Sequence, residues 1–319
     1  MGEHAVENTE WPIVLHPELP SEAWSMKERY GSEAVYAAGA TLLRTQWESG
    51  AAILPSYLID LGSLPDIREI RVEDDWLVIG ALASLSSILG NRSLIERHCP
   101  AVVTAIRNIA APSIRNLATI GGNVLSGVGD SIPALLLYDA VLVWQDSQGE
   151  QEQELGDWLL RKSVHGAAGS RLLLRIRLPL LQSSPSNVGN DPNSSLRRFD
   201  RFHKVGRREA FTASLVTVAA CGSFDHEGKL ADVRIAAGGG QSVPSRLREA
   251  ERKLTGKIIG ESLLGELYDD IICYYEPQGD LFASAAYRKK TAANLIVAEL
   301  WQQGSGAGRG DGDAVESGN

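Results

Sequence analysis

The order of patterns along this chain of 319 residues predicts an α+β fold, and three observations carry the prediction. Two glycine-containing turns, Gly39-Ala40-Thr41 and Thr119-Ile120-Gly121-Gly122-Asn123, punctuate a first half of mixed strands and helices. The second half runs through long alternating strands and only then through three helical patterns, the strands-then-helices order of α+β proteins. Between the halves, residues 182–195 are rich in Ser, Pro, Asn and Gly, a composition that reads as a linker or surface loop.

Each element has a local reason. Ser21 to Tyr30 reads as a helix with Ser21 as N-cap, Glu22 in the first turn and Gly31 as its stop. Ala34 to Ala38 is strand-like and runs into the first glycine turn. A helical pattern over Thr41 to Ser49 and a strand over Tyr57 to Leu61 follow. Ile67 to Val72 and Trp76 to Ala81, split by Glu73-Asp74-Asp75, predict a hairpin. Ser84 to Leu89 and Ala101 to Ala110 are helical, the second with Val102, Val103, Ile106 and Ile109 on one face. Ile132 to Tyr138 predicts a helix just after the second glycine turn, and Ala140 to Trp144 and Leu172 to Leu178 predict strands. Beyond the linker, Leu196 to Lys204, Phe211 to Phe224 and Leu230 to Ala237 alternate as strands, with Asp225-His226-Glu227-Gly228 as a hairpin turn. Helices are expected over Ser245 to Leu254, Ser262 to Tyr275 and Ala283 to Trp301. Residues 304–319 hold almost no apolar side chain to offset ordering entropy and are expected to be disordered.

Composition excludes several function classes. A formal net charge of -9 is the wrong sign for a nucleic-acid surface. No stretch approaches the roughly 20 apolar residues of a membrane span, and MGEHAVENTEWP lacks the apolar region of a signal peptide, so a cytoplasmic protein is expected. Cys99, Cys221 and Cys273 are dispersed and odd in number, which gives neither a disulfide framework nor a C-x-x-C pair. The common iron-sulfur clusters need four thiolates, so this chain cannot hold one alone. The histidines His4, His16, His98, His165, His203 and His226 show no metal-ligand spacing, and no metal site is expected. Gly306-Ala307-Gly308 lies in the polar tail rather than between strand and helix, so it is not a dinucleotide fingerprint, and no Walker-type loop occurs.

The two glycine turns are therefore the chemistry-bearing features. Adjacent glycines let the backbone adopt φ > 0 and bring bare N–H groups close to an anion; Asn123 adds a side-chain amide. Two such cradles suit a ligand with two phosphates, and the helix expected from Ile132 would point its N-terminus at them. Thr119 reads equally as a cap of the turn or a phosphate contact. Asp130 suits either a hydroxyl of the ligand or the N-cap of the next helix. Lys204, on an alternating strand, is from its position alone either solvated or a ligand contact.

The order of these motifs resembles the flavoprotein subunit of the molybdenum hydroxylases, of the xanthine dehydrogenase and carbon monoxide dehydrogenase type, from Trp11 to Trp301. Ala38-Gly39-Ala40-Thr41 resembles the family's first loop, TIGGN is its second, and Asp130 matches the acidic residue after it. Lys204-Val205-Gly206-Arg207-Arg208 matches its basic signature, Gly239-Gly240 through Pro244 and Arg246 its small-residue signature, and Tyr287-Arg288 the pair opening the last helix. The resemblance implies a two-lobed FAD-binding domain of the vanillyl-alcohol-oxidase type over 1–181 and an antiparallel sheet plus helix bundle over 196–303. It implies FAD bound by Ala38, Gly39, Ala40, Thr41, Leu42, Leu43, Thr119, Ile120, Gly121, Gly122, Asn123, Asp130 and Lys204, with no catalytic acid or base on this chain. The backbone amides of Gly39, Ala40, Gly121 and Gly122 are expected to face the pyrophosphate. It implies a molybdenum-cofactor subunit and a 2Fe-2S subunit as partners, with NAD⁺ as acceptor in a xanthine dehydrogenase-like, purine-oxidising complex. Alternatives are an aldehyde, carbon monoxide or N-heterocycle hydroxylase using a quinone or O₂, and a flavin-free assembly protein of the same fold. Three departures are evident: Ala40 replaces a glycine, Leu42 stands where many relatives carry a polar residue, and the acidic residue after the arginine pair is missing. Alanine tolerates φ > 0 poorly, so the first loop either avoids that region or carries strain. Arg207, Arg208 and Arg246 are expected to pair with carboxylates across the domain contact.

Overall fold

The computed structural model describes residues 11–64, 66–165, 169–180, 197–207 and 214–305. The expected linker 182–195, the tail from 306 and Arg208 lie outside the described residues. Three sheets organise the described residues. Strands β1 (Ile13–Leu15), β2 (Ala34–Ala37) and β3 (Tyr57–Asp60) form a parallel sheet in the order β1-β3-β2, with Val35 opposite Leu58. Strands β4 (Ile70–Glu73), β5 (Trp76–Gly80), β6 (Val141–Asp146), β7 (Gly149–Glu154) and β8 (Leu172–Pro179) form an antiparallel sheet in the order β4-β5-β8-β6-β7. Strands β9 (Arg197–Gly206), β10 (Ser214–Phe224), β11 (Leu230–Gly239) and β12 (Ser242–Arg246) form the third, antiparallel, in the order β12-β11-β10-β9.

Helices fill the connections. Pro20–Tyr30 and Thr41–Glu48 serve the first sheet; six short helices from Leu85–Gly90 to Ile132–Leu137 lie between β5 and β6; Leu155–His165 follows β7; and Arg248–Leu254, Glu261–Tyr274 and Ala285–Ser305 follow the third sheet. Proline opens several of them, at Pro20, Pro100 and Pro112, where its missing N–H costs nothing.

Several boundaries differ from expectation for identifiable reasons. The first helix starts at Pro20, and Leu19 rather than Ser21 is its N-cap, because Glu22 reaches back to the N–H groups of Glu18 and Leu19 at 2.8 and 3.3 Å. The chain at Ile67 makes a tight turn over Gly80 instead of continuing as strand: Leu82 N–H donates to Ile67 O at 2.7 Å, and β4 begins only at Ile70. Ser245 and Arg246, expected in a helix, are drawn into β12 by pairing with Ala237 and Ala236. β7 carries the sequence Gly-Glu-Gln-Glu-Gln-Glu and is the sheet edge; Glu150 and Glu152 reach Arg175 and Arg177 on β8. Such charged alternation suits an edge, which must not recruit further strands.

The third sheet is covered on both faces, which explains why β10 is buried along nearly its whole length. Val216, Val218, Ala220, Ile235 and Ala237 pack under the three C-terminal helices. Phe202, Ala219, Cys221 and Ala236 face the other way and belong to one continuous core with Val102, Ile106, Leu135 and Leu137 of the first half. A smaller cluster around Ala34, Ile59, Leu64, Leu82 and Leu174 seats the parallel sheet.

Candidate functional site

The first glycine turn continues β2 into the helix Thr41–Glu48. Gly39 is needed for close approach: a Cβ there would lie 1.7 Å from Leu117 O, inside the RNLATIGGN stretch. The positive φ falls on the next residue, Ala40, at φ 50° and ψ 12°. The strain expected of an alanine in this loop is thus present. Ala40 is the N-cap yet has no side chain to cap with, and the first amide of the turn to find a carbonyl is Arg44, on Ala40 O at 2.9 Å. Among the described residues, the N–H groups of Thr41, Leu42 and Leu43 meet no acceptor, so the start of this helix is an open set of donors. The helix buries none of its residues, and Leu42 is 48% exposed. Its placement therefore depends on the Gly39–Leu117 contact and on the left-handed hinge, with Ala38 packed on the smallest core cluster.

The second turn differs from expectation. Thr119 is the N-cap of a helix, Ile120–Leu125, and Gly121 and Gly122 take ordinary helical φ rather than positive φ. Their amides are already used. Ile120 N–H donates to Ala83 O at 3.0 Å, Gly121 N–H to Ala81 O at 2.9 Å, and Gly122 N–H to Thr119 Oγ1 at 3.1 Å. Gly121 is required because a Cβ would stand 2.6 Å from Ala81 O. Gly122 is exposed, and a Cβ there would meet only Thr119 Oγ1, at 3.1 Å, so its outer side is open. Asn123 accepts from Ser131 Oγ at 2.6 Å and thereby ties this helix to the next loop. Lys162 braces the far end by donating to Leu125 O at 2.5 Å.

Asp130 is not a cap; Ser131 holds that position. Asp130 pairs with Lys204 at 2.8 Å and accepts from Ser214 Oγ at 2.6 Å. Lys204 is only 10% exposed, so it is no solvated lysine, and it also donates to Asn108 O at 2.8 Å. Asn108 belongs to a loop with Ala110 at φ 46°, whose carbonyls are gathered by Arg115: Nη1 donates to Ile109 O at 2.8 Å and Ala110 O at 2.5 Å.

The remaining motifs support this contact from behind. Gly239 and Gly240 have φ 111° and 62°, and a Cβ on Gly240 would lie 2.1 Å from Arg288 Nη1. Arg288 is fully buried, pairs with Asp280 at 2.5 Å and donates to Leu215 O, next to Ser214. Arg246 pairs across the domain contact with Asp139 at 2.6 Å, as expected, and within its own half with Glu251 at 2.6 Å. Its neighbours hold its guanidinium above its ordinary range, Glu251 and Asp139 outweighing burial. Arg207 does otherwise: its guanidinium lies 4.1 Å from the centroid of Phe282.

The structure strings the sequence-derived residues into one line: Gly39 on Leu117, Thr119 to Asn123 next, Asn123 on Ser131, and Asp130 on Lys204. Sequence reasoning missed Ser214, Ser131, Asn108 and Asp139. Arg115 and Leu117 stand just ahead of TIGGN, in the stretch Arg115-Asn116-Leu117-Ala118.

The donor set fits a diphosphate ligand. Three unsatisfied N–H groups sit at the Ala40 hinge, the open face of Gly122 adjoins through Leu117, and a carboxylate and an ammonium stand farther along for hydroxyl or carbonyl groups. Among the described residues no group of three or more His, Cys, Asp or Glu could hold a metal ion. The acid and the base in the line, Asp130 and Lys204, are paired with each other.

Residues 7–181 match the model of the FAD binding domain in molybdopterin dehydrogenase, and residues 201–302 that of the CO dehydrogenase flavoprotein C-terminal domain. The chain is 28% identical over 250 residues to 6-hydroxypseudooxynicotine dehydrogenase complex subunit alpha of Paenarthrobacter nicotinovorans, covering 77% of this chain and 79% of that one. It is 25% identical over 249 residues to the xanthine dehydrogenase FAD-binding subunit of Escherichia coli O157:H7, covering 76% and 80%. A solved structure of carbon monoxide dehydrogenase from Hydrogenophaga pseudoflava superposes with a TM-score of 0.81 at 22% identity, covering 93% of this chain and 98% of the other.

Proposed function

The chain belongs to the family of FAD-binding flavoprotein subunits of molybdopterin dehydrogenases, and on that premise we propose that it is the electron-exit subunit of a molybdenum hydroxylase. In this reading it takes electrons from the 2Fe-2S clusters of a partner chain, beside a molybdenum-cofactor chain, and passes them to NAD⁺ in a xanthine dehydrogenase-like complex. FAD, when bound, supplies the exchange between one-electron and two-electron transfer.

The observation that carries the proposal is the uncapped helix start at Ala40, wedged against Leu117 by Gly39. Its N–H groups at Thr41, Leu42 and Leu43 bind the pyrophosphate, and the Thr41 hydroxyl adds a donor. Since Gly121 and Gly122 have committed their amides internally, their part is to let the ligand approach; Ile120 and Thr119 hold that surface in place. Ala38 and Asn123 flank the phosphates. Asp130 accepts from a hydroxyl of the ribityl or ribose chain, and Lys204, held by Asp130 and Asn108, faces the flavin. The chain's share of the mechanism is to fix the cofactor's orientation and neutralise its phosphates; its three cysteines leave the iron to a partner. A cytoplasmic location fits a helix set in which none of the described helices is long and apolar enough to cross a membrane.

A second reading keeps the fold and changes the acceptor and substrate to an N-heterocycle hydroxylase that uses a quinone or O₂; similarity to subunits of a 6-hydroxypseudooxynicotine dehydrogenase and a nicotinate dehydrogenase supports a substrate other than a purine. One experiment separates them. The chain is purified alone and with its co-expressed partners. The lone chain should show flavin absorbance at one FAD per chain and no iron; the complex should then be assayed with purines, aldehydes and N-heterocycles against NAD⁺, a quinone and O₂. A lone chain without flavin under FAD saturation overturns the proposal, and reduction of only a quinone or O₂ selects the second reading.

A further inference from the structure

β9 meets the two halves of the protein with alternate residues. Arg201 and His203 reach Glu299 on the last helix at 3.1 and 2.8 Å. Asp200, Phe202 and Lys204 face the first half: the helix Pro100–Arg107 packs on β9, while Ile132–Leu137 lies over β10, β11 and β12 and the segment 130–138 reaches β9 with a side chain at each end. At one end of that segment Asp130 pairs with Lys204; at the other, the Tyr138 hydroxyl donates to Asp200 Oδ2 and accepts the Ala101 N–H at 3.1 Å. The two spans match. From 200 to 204 an extended strand covers about 13 Å at about 3.3 Å per residue; from 130 to 138 a mostly helical segment covers about 12 Å at about 1.5 Å per residue. Two links of matched span thus tie the ends of the segment to one strand, and on the other side Arg234 holds the far end to β11 through Leu137 O at 2.8 Å and Asp139 at 3.0 Å.

We propose that Tyr138 and Asp200 form the positioning pair of the cofactor site, anchoring the far end of the 130–138 segment on β9 so that Asp130 is delivered to Lys204. This rests on the assignment of Asp130 and Lys204 as cofactor contacts. The pair is otherwise unexplained chemistry inside an apolar core. Asp200 Oδ1 is shut off from solvent without a partner. The groups facing Asp200 are Tyr138 at the end of its helix, Cys99 at the head of Pro100–Arg107, Cys221 opposite on β10, and Arg201 beside it. Burial pushes the Asp200 carboxyl up to about 7, against the opposing pull of the Tyr138 hydroxyl, the Ala101 backbone N–H and Arg201. The neutral acid therefore sits easily in this place; ionisation strengthens the Tyr138 hydrogen bond but leaves a charge in the apolar core whose burial cost that bond only partly offsets, and the surrounding packing loosens.

The test is the affinity of flavin-stripped full-length protein for FAD, read by quenching of flavin fluorescence from pH 6 to 8.5, with thermal unfolding in parallel. In the wild type the affinity weakens as pH rises through this range. Asp200→Ala and Tyr138→Phe weaken it about tenfold at pH 6, the effect of one buried group losing its partner. Asp200→Asn, which still accepts from Tyr138 but cannot ionise, rescues the alanine variant and makes the profile level. Asp130→Ala and Lys204→Met probe the underlying assignment directly. If these two keep full affinity, the assignment of the site fails. If they lose affinity while Asp200→Ala lowers only the unfolding temperature, or Asp200→Asn keeps the wild-type pH slope, the positioning role is overturned and the pair is structural only.

Discussion

Replacing Gly39 with alanine should separate the two loops of the site. The new methyl would stand 1.7 Å from Leu117 O and 2.5 Å from Leu117 C, and both are backbone atoms that no side-chain rotation can move away. Restoring an ordinary carbon–oxygen contact requires a displacement of about 1.5 Å between the Ala38–Thr41 loop and the Pro112–Leu117 helix, on the scale of a severe overpacking change. Overpacking costs about 1–3 kcal/mol, and an obstruction by backbone belongs near 3. At about 2–4 °C per kcal/mol, the unfolding midpoint of the apoprotein should fall by roughly 6–12 °C. The same displacement moves the free N–H groups of Thr41 to Leu43 from their ligand, so FAD affinity should drop by at least about tenfold. Scanning calorimetry with and without FAD measures both. Gly265→Ala is the control of opposite sign: it lies inside the helix Glu261–Tyr274 with nothing within 4 Å of its new Cβ, and should stabilise by about 0.5–1 kcal/mol. A Gly39→Ala protein with unchanged midpoint and FAD affinity would refute the contact on which the site is built.

Ala40→Gly should raise stability by up to about 1 kcal/mol, because relief of a left-handed alanine, worth roughly 1–2 kcal/mol, exceeds the roughly 0.5–1 kcal/mol of added chain entropy; it should hold or tighten FAD, and abolished binding in a flavin titration would show that the methyl itself packs on the ligand. Gly122→Val should fold but lose flavin, since its outer side is the open face of the second loop; retention of full flavin absorbance would remove that face from the site. For pH, Asp200 has its folded value raised from 3.8 to about 7 by burial. Its contribution to stability is complete below about pH 4, declines by at most about 1.4 kcal/mol per unit as pH rises to 7, and is level above. Urea midpoints across that window should show the decline in wild type and its loss in Asp200→Asn.

The motifs read from the sequence lie in contact with one another in the fold, but their geometry was poorly legible, and glycine explains why. A glycine serves either a positive φ or a close approach, and the letter does not say which. Gly39 and Gly121 are there for contact with Leu117 and Ala81, whereas the positive φ expected of the glycine pairs falls on Ala40, a residue type that argues against it. TIGGN was legible as a distinct motif, yet its helical form was not, because two glycines lower helix propensity and the helix is held by Thr119 and by hydrogen bonds to the loop after β5. Asp130 and Lys204 each stood in a recognisable motif, but their pairing joins residues far apart in sequence and leaves no local periodicity. β7 escaped notice because its alternation is Glu with Gln, which signals an edge strand only once its neighbours are known.

The shared core has a consequence for how such chains can be recombined. Phe202, Ala219, Cys221 and Ala236, all beyond the presumed linker, are packed among Val102, Ile106 and Leu135 of the first half. The boundary visible in composition is therefore no seam in the solid. A graft that takes the first half from one relative and the second from another joins two surfaces shaped in different ancestors, and must carry the complementary side chains of β9 to β11 along with the helices Pro100–Arg107 and Ile132–Leu137. Exchange between relatives is then confined to the loops around the glycine turns, with the core shared by the two halves left as a single inheritance.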